Sequence, residues 1–170
     1  MKLNKIDFIS YLNNNFIFEK NPNVAVAVSG GPDSAALIYL INEWINFVKG
    51  NVIPLIINHN LREESSKESK IVSNFLKEKN INSKILKVKK NKIFKKTMKE
   101  ARINRYNLLT NYCRNNSILY LFVAHHKDDQ IETFLNRKIS GSDFNGLLGI
   151  KNINLSNQIC IIRPLLNYSK

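Results

Sequence analysis

The residues best suited to chemistry are Ser29-Gly30-Gly31-Pro32-Asp33-Ser34, directly after the apolar run Val24-Ala25-Val26-Ala27-Val28. Backbone N–H groups at a helix start lack intrahelical partners, and the helix dipole adds positive potential there. A strand that turns through Gly-Gly into an apolar-periodic helix therefore builds an anion cradle. Gly30 and Gly31 carry no Cβ, so an oxyanion can lie against the main chain. Pro32 suits the first helical turn, where its missing N–H costs nothing. Ser29 and Ser34 add hydroxyl donors. A carboxylate repels phosphate, so Asp33 makes better sense holding a Mg²⁺ that bridges a polyphosphate. No Gly-Lys-Ser/Thr follows, so this is not a Walker A loop, and it is not the Gly-x-Gly-x-x-Gly dinucleotide fingerprint. The plain alternative is a tight turn into a capped helix.

A second cluster, His125-His126-Lys127-Asp128-Asp129-Gln130-Ile131-Glu132-Thr133, follows the apolar run Ile118–Ala124. Asp128 or Asp129 can cap the helix that starts here, with Glu132 three residues beyond Asp129 as in a capping box. Capping does not account for His125 and His126 at a strand exit. A histidine can donate to an anion or relay a proton, and a carboxylate can recognise an exocyclic amine. The cluster lacks helical His-x-x-x-His spacing and has no cysteine support, which argues against a zinc site. Arg102 and Arg105, three apart on one helix face, form either a fork for phosphate or a solvated basic face.

The elements that must position these residues alternate. Lys5–Phe16 reads as a leading helix, and Asn21-Pro22-Asn23 breaks it. Strand one is Val24–Val28, followed by a helix from about Asp33 to Val48. Strand two is Val52–Asn58, with Pro54 as a blemish, since proline belongs at edges or bulges. Glu63–Lys79 is an amphipathic helix, Ile81–Val88 strand three, Thr97–Asn115 a long helix and Ile118–Ala124 strand four. Asp129–Ile139 is another helix and Ile159–Ile162 a last short strand. This alternation predicts an α/β, Rossmann-like, doubly wound parallel sheet of about five strands, order 3-2-1-4-5, with helices on both faces. Ligands bind such sheets beyond the strand carboxyl ends, where strand order reverses. Ser29–Ser34, His125–Thr133 and Asn58-His59-Asn60-Leu61-Arg62 all follow strands, so they are expected to converge on one crevice.

The 170 residues suit one domain, and the net charge of +13 permits a polyanionic partner. Abundant Lys, Asn and Ile also fit an AT-biased composition, so the charge alone does not establish RNA binding. No apolar stretch approaches a membrane span, and the N-terminus has no signal-peptide apolar region. Cys113 and Cys160 form no Cys-x-x-Cys pair, which fits a reducing compartment.

Ser29–Ser34 resembles the PP-loop of the N-type ATP pyrophosphatases, which cleave ATP between the α- and β-phosphates. Other segments resemble the tRNA(Ile)-lysidine synthase family within that group. These are Asn58–Arg62, Glu100-Ala101-Arg102 with Arg105-Tyr106, His125–Thr133, Gly141-Ser142 with Gly146-Leu147, and Arg163-Pro164-Leu165-Leu166. The resemblance implies adenylation of the C2 carbonyl oxygen of the wobble cytidine in a CAU-anticodon tRNA(Ile). Free L-lysine then displaces AMP. It implies ATP on Ser29, Gly30, Gly31, Pro32, Asp33 and Ser34, with Mg²⁺ on Asp33. Asp33, Arg102, Arg105, His125 and Asp129 are the expected catalytic residues, and His59, Arg62, Asp128, Asp129 and Glu132 the expected substrate contacts. Within these, Asp129 would accept the cytosine amine, His125 would stabilise developing charge, and the basic connector Lys87–Lys96 would steer tRNA. The expected location is the cytoplasm, or an organelle stroma if organelle-encoded. A homodimer is the expected assembly if the chain self-associates, and no membrane is involved.

The chain departs from that family at Ser140, where an arginine is usual, and at Asp143, where a glycine is common. It also stops at Lys170, where the family continues, so residues 1–170 are expected to be a truncated PP-loop adenylating domain without the C-terminal tRNA-binding region. The rivals are another PP-loop tRNA-modifying enzyme of thiolase type, or a non-catalytic tRNA-binding remnant.

Overall fold

The computed structural model describes residues 4–58, 64–88, 98–141 and 148–169. Its elements run α1 (Lys5–Asn15), β1 (Asn23–Val28), α2 (Pro32–Val48), β2 (Asn51–Asn58), α3 (Glu64–Glu78), β3 (Lys84–Lys87), α4 (Met98–Asn115), β4 (Tyr120–Phe122), α5 (Lys127–Ile139), β5 (Ile153–Ser156) and β6 (Ile159–Ile162). The six strands form one sheet in the order β3-β2-β1-β4-β6-β5. All neighbours are parallel except the β5–β6 hairpin. The expected order therefore holds, with Ile159–Ile162 in the fifth place.

The sixth strand, β5, was not expected from the sequence. Ile153 and Leu155 lie exposed on the sheet edge, so burial left no pattern to read. The two turn residues Asn157 and Gln158 both have positive φ (49° and 66°), the conformation of a type I′ hairpin turn without the usual glycine. Strand three is also shorter than expected, four residues rather than the eight of Ile81–Val88. It begins opposite Leu55, so Pro54 lies where β2 has no outer neighbour and its missing N–H disrupts no β2–β3 ladder.

Side chains of β1 face the two sides of the sheet in turn, and both sides are covered. Val24, Val26 and Val28 pack against α1 and α2 through Phe8, Leu12, Leu37, Ile38, Ile41, Trp44 and Ile45. Ala25 faces the other way, with Leu55, Leu121 and Ile161, and meets Leu109 and Cys113 of α4. Each side is a separate core, which is why β1 reads as a continuous apolar run rather than an alternating one. Helix α2 presents Leu37, Ile38, Ile41, Trp44 and Ile45 at helical spacing. Trp44 donates its indole N–H to Asn13 Oδ1 at 3.0 Å and so ties α2 to α1. Among the described residues, no helix is long and apolar enough to cross a membrane.

Strand order reverses beside β1: β2 and β3 lie on one side, β4 and β6 on the other. The turn after β1 and the segment after β4 are therefore neighbours at the same end of the sheet.

Candidate active site

The turn after β1 is held by its own hydroxyls. Ser34 Oγ donates to Gly31 O at 2.9 Å and accepts the Ser29 N–H at 3.2 Å. Ser29 Oγ lies 3.1 Å from Ser34 Oγ and accepts the Gly31 N–H at 3.4 Å. Ser34 is buried. Its hydroxyl donates within the turn, to Gly31 O. Gly30 has φ +87°, and a Cβ there would sit 2.8 Å from Val72 Cγ2, so the turn requires glycine at this position. Gly31 is the N-cap of α2, contributes no side-chain cap and is followed by Pro32 in the first turn. A Cβ on Gly31 would meet only Ser29 Oγ, at an ordinary 3.6 Å. Within the protein, then, Gly31 is not required by packing.

The segment after β4 forms the facing edge. Helix α5 begins two residues before the expected Asp129, with His126 as its N-cap. The capping box is therefore His126 with Asp129, not Asp129 with Glu132: Asp129 Oδ2 accepts the His126 N–H at 2.8 Å. His126 Nδ1 accepts the Asp128 N–H at 3.2 Å, which leaves Nε2 as the ring's donor. That Nε2 lies 3.6 Å from Asp33 Oδ2 and 3.5 Å from Asp129 Oδ2. The two polar clusters thus meet across the switch point.

His125 is held differently. Its Nδ1 accepts Arg163 Nε–H at 3.0 Å. Burial, then the Arg163 and Arg102 guanidinium groups, push its pKa down to about 4, with Asp129 opposing and Arg105 adding to the fall.

Both clusters open into a cleft of about 340 Å³ lined by Ser29, Gly31, Asp33, His125, His126 and Asp129, with Arg105 and Tyr106 of α4 on its wall. The Arg102 and Arg105 guanidinium carbons lie 5.6 Å and 5.8 Å from the Tyr106 ring centre. Arg105 lines the cleft, whereas Arg102 is exposed and does not line it, although its charge acts on His125 more strongly than that of Arg105. The Tyr106 hydroxyl is buried and has no hydrogen-bond partner among the described residues.

Of the residues singled out in the sequence, the fold brings together Ser29, Gly31, Asp33, Ser34, Arg105, His125 and Asp129. Gly30 supports the turn from behind, and Pro32, exposed, opens α2. Asp128 and Glu132 are exposed on α5 and do not line the cleft. His59, Arg62, Asp143 and most of the Lys87–Lys96 connector lie outside the described residues. The sequence reading assigned no role to Arg163 or to the α3 wall of Ser65, Glu68 and Ser69. Arg163 had a findable signal: it directly follows a strand whose carboxyl end faces the crevice.

A family profile described as PP-loop domain matches residues 4–170. The tRNA(Ile)-lysidine synthase of the Wolbachia of Brugia malayi is 44% identical over 88% of this chain and 35% of its own length. That of Wolbachia pipientis wMel is 46% identical over 88% of the chain and 35% of its own length. The chain thus spans about a third of the length of these curated relatives. Among solved structures, the U34-tRNA thiolase NcsA from Methanococcus maripaludis, with its [4Fe-4S] cluster, superposes with a TM-score of 0.77 at 22% identity, covering 97% of this chain and 60% of that one. At that identity the likeness concerns the fold. With the profile spanning nearly all of the sequence, and the Ser-Gly-Gly-Pro-Asp-Ser turn at the switch point, the chain belongs to the PP-loop domain family.

Proposed function

We propose that this chain carries the adenylating chemistry of a tRNA(Ile)-lysidine synthase: ATP-dependent ligation of L-lysine to C2 of the wobble cytidine in a CAU-anticodon tRNA(Ile). The observation that carries the reading is the meeting of the β1 turn and the β4 edge in one cleft, with His126 Nε2 3.6 Å from Asp33 Oδ2. The names of the Wolbachia relatives point the same way.

In this reading the triphosphate lies across the opening turn of α2. The main-chain N–H groups there face it, and Gly31 keeps the approach clear of a Cβ. Asp33 is the residue that would hold Mg²⁺. A carboxylate in the cleft lining suits a hard cation that takes its remaining ligands from phosphate and water. Bound there, the ion supplies charge neutralisation for the departing diphosphate. The C2 oxygen attacks the α-phosphorus and diphosphate leaves; the lysine side-chain amine then attacks C2 and AMP leaves with the oxygen. Arg105 on the wall contacts phosphate, and Arg102 adds positive potential from outside the cleft. Asp129 already uses one oxygen for the His126 N–H, and its other oxygen accepts from the cytosine amine. His125 donates to the developing negative charge. Asp128 and Glu132, exposed on α5, meet lysine or tRNA at the rim, and His59 and Arg62 complete the substrate contacts.

A thiolase-type reaction, with its sulfur-handling cysteines, fits less well. Cys113 is buried in α4 against the sheet and Cys160 lies in β6, and neither lines the cleft. The reading is tested by following AMP. Release that requires both the CAU-anticodon tRNA and lysine supports it. Release driven by a sulfide donor in place of lysine contradicts it.

A further inference from the structure

We propose that Arg163 is a positioning residue: it fixes His125 as a neutral imidazole with its proton on Nε2, so that His125 acts as a fixed hydrogen-bond donor and not as a proton carrier. The proposal deepens the functional reading given above, and only its last step, what the donor meets, depends on that reading.

A guanidinium has five N–H donors, no acceptor, and does not deprotonate in proteins. The contact of 3.0 Å from Arg163 Nε to His125 Nδ1 can therefore exist only if Nδ1 offers a lone pair. The ring proton must then sit on Nε2. A doubly protonated ring would place an N–H against an N–H, and the opposite tautomer would do the same.

Arg163 is itself braced. It is only 6% exposed. Its backbone N–H donates to Asn152 O and its Nη1 to Lys151 O, both at 2.9 Å. The segment that supplies those carbonyls is clipped to α5: Gln130 Nε2 donates to Ile150 O at 3.1 Å, and Gln130 Oε1 accepts the Ile150 N–H at 2.6 Å. The brace runs from α5 through residues 150–152 to Arg163 and ends on the imidazole. The charged groups around that imidazole agree with it. Among the described residues, Arg163 beyond β6 and Arg102 and Arg105 on α4 act on it as cations, and Asp129 on α5 opposes them. Burial and this surplus of positive charge hold the His125 pKa down to about 4, so the ring stays neutral in ordinary buffers.

The consequence for chemistry is specific. A neutral donor with a fixed ring stabilises charge on a substrate oxygen without a proton changing hands. Arg163 acts through His125 without lining the cleft itself.

The test is ¹⁵N NMR on the full chain labelled at its three histidines, assigned with single His→Gln variants. The expected His125 signature is a protonated Nε2 and an unprotonated Nδ1, unchanged between about pH 5 and 8. A proton on Nδ1, or titration of His125 within that range, overturns the proposal. The second arm is Arg163→Met. It is expected to give His125 a mixture of tautomers and to lower kcat for AMP formation by about tenfold or more, with KM for ATP changed by less than about twofold. A single Nε2–H tautomer and full kcat in that variant overturn the proposal. If Arg163→Met does not fold, the wild-type spectrum decides. A wild-type chain with the expected spectrum but no tRNA-dependent AMP release sinks the functional reading and leaves the tautomer assignment standing.

Discussion

The two corners of the cleft are built on different principles. The β1 turn closes on itself: the hydrogen bonds among Ser29, Gly31 and Ser34 join residues two to five positions apart. The β4 edge depends on distant chain, since His125 is held by Arg163 thirty-eight residues later and Arg163 by carbonyls at 151 and 152. The first corner can be assembled by any strand and helix that present the right six residues. The second is completed only when β6 has docked beside β4, since the His126–Asp129 cap is local to α5 but the hold on His125 is not. The difference teaches which residues are interchangeable. Substitutions in the turn act on the ligand or on the local backbone, whereas a substitution at Arg163 reaches the cleft through the fold.

The sharpest break between the corners is Asp33→Ala. It removes a carboxylate from the turn, and with it the contact to His126 Nε2, while the hydrogen bonds among Ser29, Gly31 and Ser34 stay possible. We expect AMP formation to fall by about a hundredfold or more with Tm little changed, read by a coupled AMP assay and thermal unfolding. Retained activity would take the metal-holding role away from Asp33.

Gly31 and Gly30 then separate ligand from backbone. At Gly31 a Cβ meets only an ordinary contact, and the backbone is extended at φ −80°. Gly31→Ala should leave Tm unchanged and weaken ATP binding by about tenfold or more, measured by calorimetry. At Gly30, φ is +87° and the new Cβ would crowd Val72, so Gly30→Ala should cost about 1–2 kcal/mol of stability. Equal effects on Tm for the two variants would erase the distinction.

The edge has a pH signature of its own. The folded state depresses the His125 pKa from 6.5 to about 4, so the unfolded chain takes up a proton first as pH falls. Stability from this group is fully present above pH 6.5 and is lost as pH falls through about 4. The loss is on the order of 3 kcal/mol at most. Denaturant titrations of the wild type should show a steeper decline across that window than those of His125→Gln. Parallel declines would mean that His125 is not the titrating group.

The smallest effect is expected at Tyr106 on the cleft wall, whose hydroxyl is buried without a partner among the described residues. Tyr106→Phe should leave Tm unchanged or slightly raised, and weaken substrate binding by less than about tenfold if a ligand completes that hydroxyl. A clear drop in Tm would show that the hydroxyl is satisfied within the protein.

The same contrast explains what could be read from the sequence. The strand order, the switch point and the β1 turn were legible, because apolar runs, Gly-Gly and Pro32 act locally. The cap of α5 is His126 and not Asp128 or Asp129, and a histidine capping through Nδ1 is not among the usual capping side chains. Arg102 and Arg105 could not be told apart by helical spacing, and only the docking of α4 puts Arg105 on the cleft and leaves Arg102 outside. The edge strand β5 carries its apolar side chains outward, so no burial pattern marked it. Arg163 was visible as a residue but not as a partner, because nothing within its own segment points to His125.

The central claim is that the two corners form one site acting on ATP and the wobble cytidine together. Mass analysis of the CAU-anticodon tRNA(Ile) after incubation with this chain, ATP, Mg²⁺ and lysine tests it most directly. The account predicts a wobble nucleotide heavier by one lysine less one water, absent when ATP is withheld. An unmodified wobble cytidine, or a sulfur-for-oxygen exchange there, would contradict it.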